Sequence, residues 1–428
     1  MKKSIYIVSL AVLTFSCAEE KKSIQITQPK HYEAYLSNQN RETERNAISE
    51  RDFWSNKLSA DTTGVGSLSS LAGAYTTLFE TTGDANQLYA AERLYKKGIE
   101  NSAHNKDGFA RGLARNYISQ HRFKEAKQVL EESLQGVSNK KATRFMLFDV
   151  NMELGEFDDA KAVLDDSKNM SDYNYLIRLA KWNDYKGDLD AAIRYIEKAR
   201  EIADSRKSKP LQLWTYTNLG DYYGHAGRIE DAYWQYIKAL RLQPDNAYAL
   251  KGIAWIAYSA EHDTETALRI LDSIEVHHQV PDYQLLKAEI AEYNGNDSKS
   301  EAYITQFLEA VENGAYGDMY NAYLIEVYAD RDPKKALQLA KQEVTNRATP
   351  ESYHLLALAQ VANGMEKEAL TTINNHVKNK TSEPMALYHM ALVYEANGMD
   401  KEIEPLKAEL LEAEFEVGPV LYKKIENL

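Results

Sequence analysis

Small residues return along this chain at a nearly fixed interval. They fall at Ala91, Ala126, Ala160, Ala192, Ala232, Ala267, Ala302, Ala336 and Ala369, with Ile403 in the last slot. The nine steps from Ala91 to Ile403 span 312 residues, about 34.7 each. A repeat of this length is one supersecondary unit that cannot bury its own apolar face, so neighbours must stack. Flanking positions keep the same step. Thirteen residues before the small residue stands Leu113, Leu147, Leu179, Leu219 or Leu356, and five before it stands Gly155, Gly187, Gly227, Gly364 or Gly398. The leucines mark the inward face of a first helix. The glycines mark its exit in a left-handed conformation that glycine adopts cheaply. The small residue itself is expected on a second helix, where it crosses the first closely. Single helices of about 12–14 residues are marginal in water. The prediction is therefore one continuous core shared by stacked hairpins, in place of the three domains that 428 residues would otherwise imply.

The stretch Trp214 to Pro244 shows the full pattern: Leu219, Gly220 and Tyr223, then Gly227, Ala232, Tyr236, Ala239 and Pro244. This order resembles the tetratricopeptide repeat, and the resemblance runs from about Leu68 to Leu411. It implies an all-α, right-handed superhelical solenoid of about ten helix hairpins, with the first helix of each hairpin lining the concave face. Four departures stand out. About three extra residues lie near Ala85–Leu88, and the 40-residue step from Ala192 to Ala232 reads as an elongated turn at Ser205–Pro210. The repeat at Ala302 is degenerate, with Phe307 and Ala310 shifted by one. Ile403 fits a terminal repeat that has one neighbour.

The N-terminus carries a different signal. Lys2 and Lys3 precede an apolar run from Ile5 to Phe15 that ends at Ser16–Cys17. The run is too short to span a bilayer of about 30 Å. The cut beside a cysteine resembles a bacterial lipoprotein signal of the Bacteroidetes type. It implies that residues 1–16 are a signal peptide and that Cys17 is acylated as the mature N-terminus. By the sorting rule for such proteins, Ala18 implies the outer membrane of the cell envelope. Residues 17–46 are then expected to be a polar tether. Residues 47–67 read as an N-terminal packing helix and loop built on Ile48, Phe53 and Trp54, 68–411 as the solenoid, and 412–428 as a capping segment. With one cysteine, no intramolecular disulfide can form.

With 51 Lys and Arg against 64 Asp and Glu, the net charge is −13, unsuited to neutralising a polyanion, so no nucleic-acid partner is expected. The sequence holds no phosphate-binding loop, no nucleophile elbow and no histidine pair at zinc-protease spacing. His277 and His278 read as a solvated turn before Pro281. No catalytic residue, cofactor or metal ligand is predicted, and the chain is read as a non-enzyme.

The concave face is the candidate binding surface. Fixed offsets before the small residues select Arg111, Arg115, Asn174, Arg178, Lys181, Trp214 and Asp221, and, in a repeat whose register is ambiguous by one, Lys251 and Trp255. Arg111 and Arg115 share one helix face. The set partly resembles the carboxylate clamp of some tetratricopeptide domains. Arg111 and Arg178 stand at its first and last cations, while Arg115 and Met146 replace asparagines and Asn174 replaces a lysine. The other reading of these cations is pairing with neighbours such as Asp149 and Glu153. The resemblance implies a membrane-anchored scaffold, attached through its lipid, that binds a protein or peptide within an envelope complex. An alternative is a glycan- or nutrient-capture lipoprotein similar to the starch-utilisation binding family, with Trp54, Trp182 or Trp234 on sugar rings. The long insertions of that family are lacking here. A cytoplasmic regulatory repeat protein would require the signal segment to remain uncleaved.

Overall fold

The computed structural model describes residues 25–37, 41–60, 64–104, 106–136 and 139–428. Residues 1–16 and Cys17, read as signal peptide and lipidation site, lie outside the described residues. The architecture is an all-α solenoid. From α3 (Val65–Thr82) to α22 (Asp400–Glu412), twenty α-helices pair as ten consecutive hairpins, odd-numbered helices first and even-numbered second. The period explains the packing: nine of the ten positions are buried, eight of them alanines at hairpin crossings where a larger side chain would push the helices apart, and the ninth Ile403 in the last hairpin.

The exception is Ala302, which is exposed. In α16 (Asp297–Asn313) the buried small residue is Ser300, five residues after Gly295, whose φ of +69° marks the helix exit. The register of this repeat is therefore set by Ser300. The 40-residue step is not an elongated turn either. The additional residues lengthen α10 (Leu189–Arg206) and α11 (Lys209–His225), which are joined by Lys207 and Ser208 alone. Pro210 is tolerated because it sits in the first turn of α11. After α13 (Ala247–Trp255) the chain makes a π-helical turn, Ile256–Ala260. A π turn inserts one residue into a helix, which is why the register at Lys251 and Trp255 is ambiguous from sequence.

The expected tether does not hold from residue 25 onward. Helix α1 (Pro29–Leu36) packs against the second helices α12 (Ile229–Leu242) and α14 (Thr264–Glu275), and Tyr32 is 0% exposed there. The Thr27 backbone N–H donates to Glu261 at 2.7 Å, and Arg269 pairs with Glu33 at 2.7 Å. The apolar residues of this stretch are few, but Tyr32, Tyr35 and Leu36 share one helical face. Helix α2 (Glu42–Ala60) packs along α3, with Ala47 buried. Phe53, expected to pack, is 59% exposed and meets only the edge of Trp54 at a ring separation of 5.0 Å.

Successive turns of the superhelix touch. Gln279 N–H donates to the Thr82 carbonyl at 2.8 Å, Lys124 donates to the Thr345 carbonyl at 2.7 Å, and Arg347 reaches Glu153 at 3.3 Å. Arg347 and Glu153 are 194 residues apart, so one turn takes between five and six repeats. The C-terminal segment, α23 (Glu414–Glu426), is kinked at Gly418 (φ +74°). Its second part caps α22 and buries Ile425. Its first part reaches back to the inner face, where the Phe415 carbonyl accepts from Trp255 Nε1 at 3.1 Å and Ser259 Oγ at 2.7 Å.

Candidate functional site on the inner face

Two of the cavities among the described residues bear on the inner face. The first, of about 490 Å³, is lined by Arg111, Arg115, Asn174 and Arg178 together with Tyr95 and Met146. The structure thus brings together four of the residues selected from sequence. Arg111 and Arg115 sit one turn apart on α5 (Lys106–Ser119). Arg111 Nη1 donates to Thr143 Oγ1 at 3.3 Å. Arg115 acts at longer range on Glu80, whose carboxyl is raised by burial and partly drawn back by this charge. Among the described residues neither arginine makes an ion pair with a carboxylate.

Arg178 is in a different position. It is 8% exposed, and its Nε donates to the Phe145 carbonyl at 2.7 Å, its Nη1 to the Asn174 carbonyl at 2.9 Å and its Nη2 to Asp149 at 2.5 Å. With its guanidinium also over the Phe145 ring, it ties adjacent hairpins together and has little left to offer a ligand. Lys181 pairs with Glu153 at 2.7 Å and Lys251 with Asp282 at 2.5 Å. For these three cations, pairing with neighbouring acids is what the geometry shows. Asp221 accepts hydroxyls from Tyr236 and Tyr248, both at 2.7 Å, yet burial still raises its carboxyl. The Tyr236 ring lies against Gly220 and Gly252, where an added Cβ would come within 2.6 and 2.5 Å of it. Trp214 is 40% exposed with its edge toward Tyr173, and Trp255 is engaged with α23. Trp234 packs half-buried against His31 of α1. His278, read as solvated, bonds through Nδ1 to the Tyr283 hydroxyl at 2.8 Å, and burial lowers it to about 4.

The second cavity, of about 980 Å³, was only partly legible in the sequence: Lys251 and Trp255 of the selected residues line it, and its acidic residues were not selected. It is lined by the first helices α13, α15 (Asp282–Tyr293), α17 (Asn321–Arg331), α19 (Pro350–Ala362) and α21 (Pro384–Ala396), with α23 on one side. Glu289 and Glu326 face it, and burial pushes both carboxyls up to about 7. Glu289 accepts from the Tyr258 hydroxyl at 3.0 Å. At its edge His389 is hydrogen-bonded to His354 between their Nδ1 atoms at 2.8 Å, and burial pushes both rings down. Counted from Ser300 in place of Ala302, the same offsets that selected the arginines select Asp282, Leu285, Leu286, Glu289 and Glu292, all of which line this chamber. Glu326, which also lines the chamber, stands ten residues before Ala336, one off the common count, in the repeat where Asp332 alone joins α17 to α18 (Pro333–Asn346).

Among the described residues no group of His, Cys, Asp and Glu is arranged to hold a metal ion, and no helix is long and apolar enough to cross a membrane. No curated protein matches the sequence. Among solved structures, yeast Tom70 is similar at 13% identity over 90% of this chain and 96% of its own, with a TM-score of 0.41. A tetratricopeptide repeat protein from Parabacteroides merdae matches at 17% identity over 60% and 97%, with a TM-score of 0.33. PilW, a type IV pilus biogenesis factor, matches at 18% identity over 51% and 99%, with a TM-score of 0.39. Family models described as tetratricopeptide repeat match residues 117–169 and 173–245. Those matches show tetratricopeptide repeats at residues 117–169 and 173–245, and the stacked hairpins on either side continue the same architecture.

Proposed function

We propose that this chain is a non-catalytic scaffold, anchored to the outer membrane by a lipid on Cys17, that holds a protein or peptide on its concave face within an envelope complex. The binding half of this reading rests on Arg111 and Arg115. Two guanidinium forks project from one face of α5 into a cavity of about 490 Å³, with no ion-pair partner among the described residues, in a protein of net charge −13. Guanidinium groups bind carboxylates through paired, charge-assisted hydrogen bonds. An acidic peptide end therefore suits this pocket, in the manner of other charged-motif recognition. The anchoring half rests on Lys2, Lys3, the apolar run from Ile5 to Phe15 and Cys17.

Immobilised peptide ending in Glu-Glu with a free C-terminus tests the pocket. The double variant Arg111→Glu/Arg115→Glu should bind it at least about tenfold more weakly than wild type. Arg194→Glu, an exposed change on α10, should bind as wild type does. Equal binding by both variants removes the pocket from the account. Labelled palmitate should enter the wild-type chain in a bacterial host and not Cys17→Ser. Incorporation that persists in Cys17→Ser contradicts the anchor.

A further inference from the structure

The larger cavity has a chemistry opposite to that of the arginine pocket. Its volume of about 980 Å³ lies at the upper end of the range for pockets that enclose small ligands, enough for several amino-acid side chains. The walls are largely apolar. Leu358, Tyr388 and Leu392 line one part, and Val420 and Leu421 of α23 another. Tyr323, 42% exposed, presents a further aromatic surface.

The charged groups on the walls are unevenly matched. The two lysines are already paired, Lys251 with Asp282 at 2.5 Å and Lys424 with Glu292 at 3.2 Å. Glu326 has no ion-pair or hydrogen-bond partner among the described residues, and desolvation alone raises its carboxyl to about 7. A carboxylate withdrawn from water without a counter-charge is costly, and the cost is relieved by a cation or by a proton. A neutral or anionic guest would leave Glu326 as it is. A cation brought in by a guest would find it free of any competing lysine.

We propose that this chamber binds a peptide segment in which one lysine or arginine is flanked by apolar residues, with the cation at Glu326 and the apolar flanks on Leu358, Tyr388 and Leu392. Glu289, on the same wall, adds to the negative potential that the cation meets. The proposal rests on the reading of the inner face as the binding surface and supplies the chemistry of a second segment of the partner.

The probes are the pentapeptide acetyl-Leu-Leu-Lys-Leu-Leu-amide and its counterpart with acetyl-lysine at the centre, titrated calorimetrically into the full chain. Wild type should bind the lysine peptide at least about tenfold more tightly than the acetyl-lysine peptide. Glu326→Gln should bring that ratio close to one, and Leu392→Gln should weaken both peptides while leaving the ratio in place. Circular dichroism of each variant should match wild type, because Glu326→Gln removes an unpaired carboxylate and not a contact. Equal affinity of wild type for the two peptides, an unchanged ratio in Glu326→Gln, or no binding of either peptide overturns the proposal. Retained capture of the Glu-Glu peptide alongside no lysine-peptide binding refutes the chamber alone. Loss of both refutes the inner face as a binding surface.

Discussion

The exit from the first helix of each hairpin sets a demand on a single residue. Gly155, Gly187, Gly227, Gly295, Gly364 and Gly398 all occupy it at positive φ. Two repeats place a histidine there instead, His121 at φ +57° and His262 at φ +58°, each five residues before its buried alanine. A side chain in this region costs roughly 1–2 kcal/mol through the clash of Cβ with the backbone. His262 is exposed, and its one ring contact is a stack on Tyr293 at 5.9 Å. Replacing it by glycine relieves the strain and adds some freedom to the unfolded chain. His262→Gly should therefore raise stability by about 0.5–1 kcal/mol net, seen as a higher urea midpoint at unchanged slope. A midpoint that stays or falls would mean that the Tyr293 stack outweighs the backbone strain.

At the scale of helices, the hairpins were legible because their signals are local. A small residue at a helix crossing and a glycine at a helix exit each answer to contacts within one repeat, so their spacing survives in the sequence. Where an element depends on distant partners, the signal fades. Helix α1 is short and mostly polar, and residues distant in sequence, among them Tyr233, Trp234, Glu261 and Arg269, make a place for it. The arginine pair was legible from the repeat offsets and helical spacing, whereas the role of Arg178 depends on Asp149 and Phe145 from the preceding hairpin. The acidic residues of the chamber were hidden by errors of one or two residues, although Lys251 and Trp255 on its wall were selected. Alanine is common enough that Ala302 displaced Ser300 as the reference, although Gly295 pointed to Ser300. The π turn after α13 and the short turn before α18 moved two more repeats off the common count. Each such slip rotates a helical face by roughly 100° per residue, enough to turn a lumen-facing glutamate into an apparent outer one.

At the scale of the molecule, the inner face is shaped by contacts between successive turns, and the C-terminal segment is one of them. Its Glu416 meets His225 of α11 at 2.9 Å, five repeats earlier in the chain. Burial alone would lower the His225 ring from its ordinary 6.5, but the hydrogen bond and charge of Glu416, with Asp184 and Glu383 behind it, raise it to about 9. Because the folded value lies above the unfolded one, this contribution is fully present below about pH 6.5 and is lost as the pH rises through about 9. Glu383 works in the same sense. Burial and its acidic neighbours Glu416 and Asp184 raise it to about 7, so it ionises above that point and repels both. The hold of α23 on the inner face should therefore weaken from about pH 6.5 to about pH 9.5, and the turns should separate. Small-angle X-ray scattering should give a larger radius of gyration at the alkaline end for wild type. His225→Lys, which keeps its charge across that range, should stay compact even though Glu383 still ionises. A wild-type radius that does not change with pH, or one that grows equally in His225→Lys, would show that the His225–Glu416 contact does not hold the turns together.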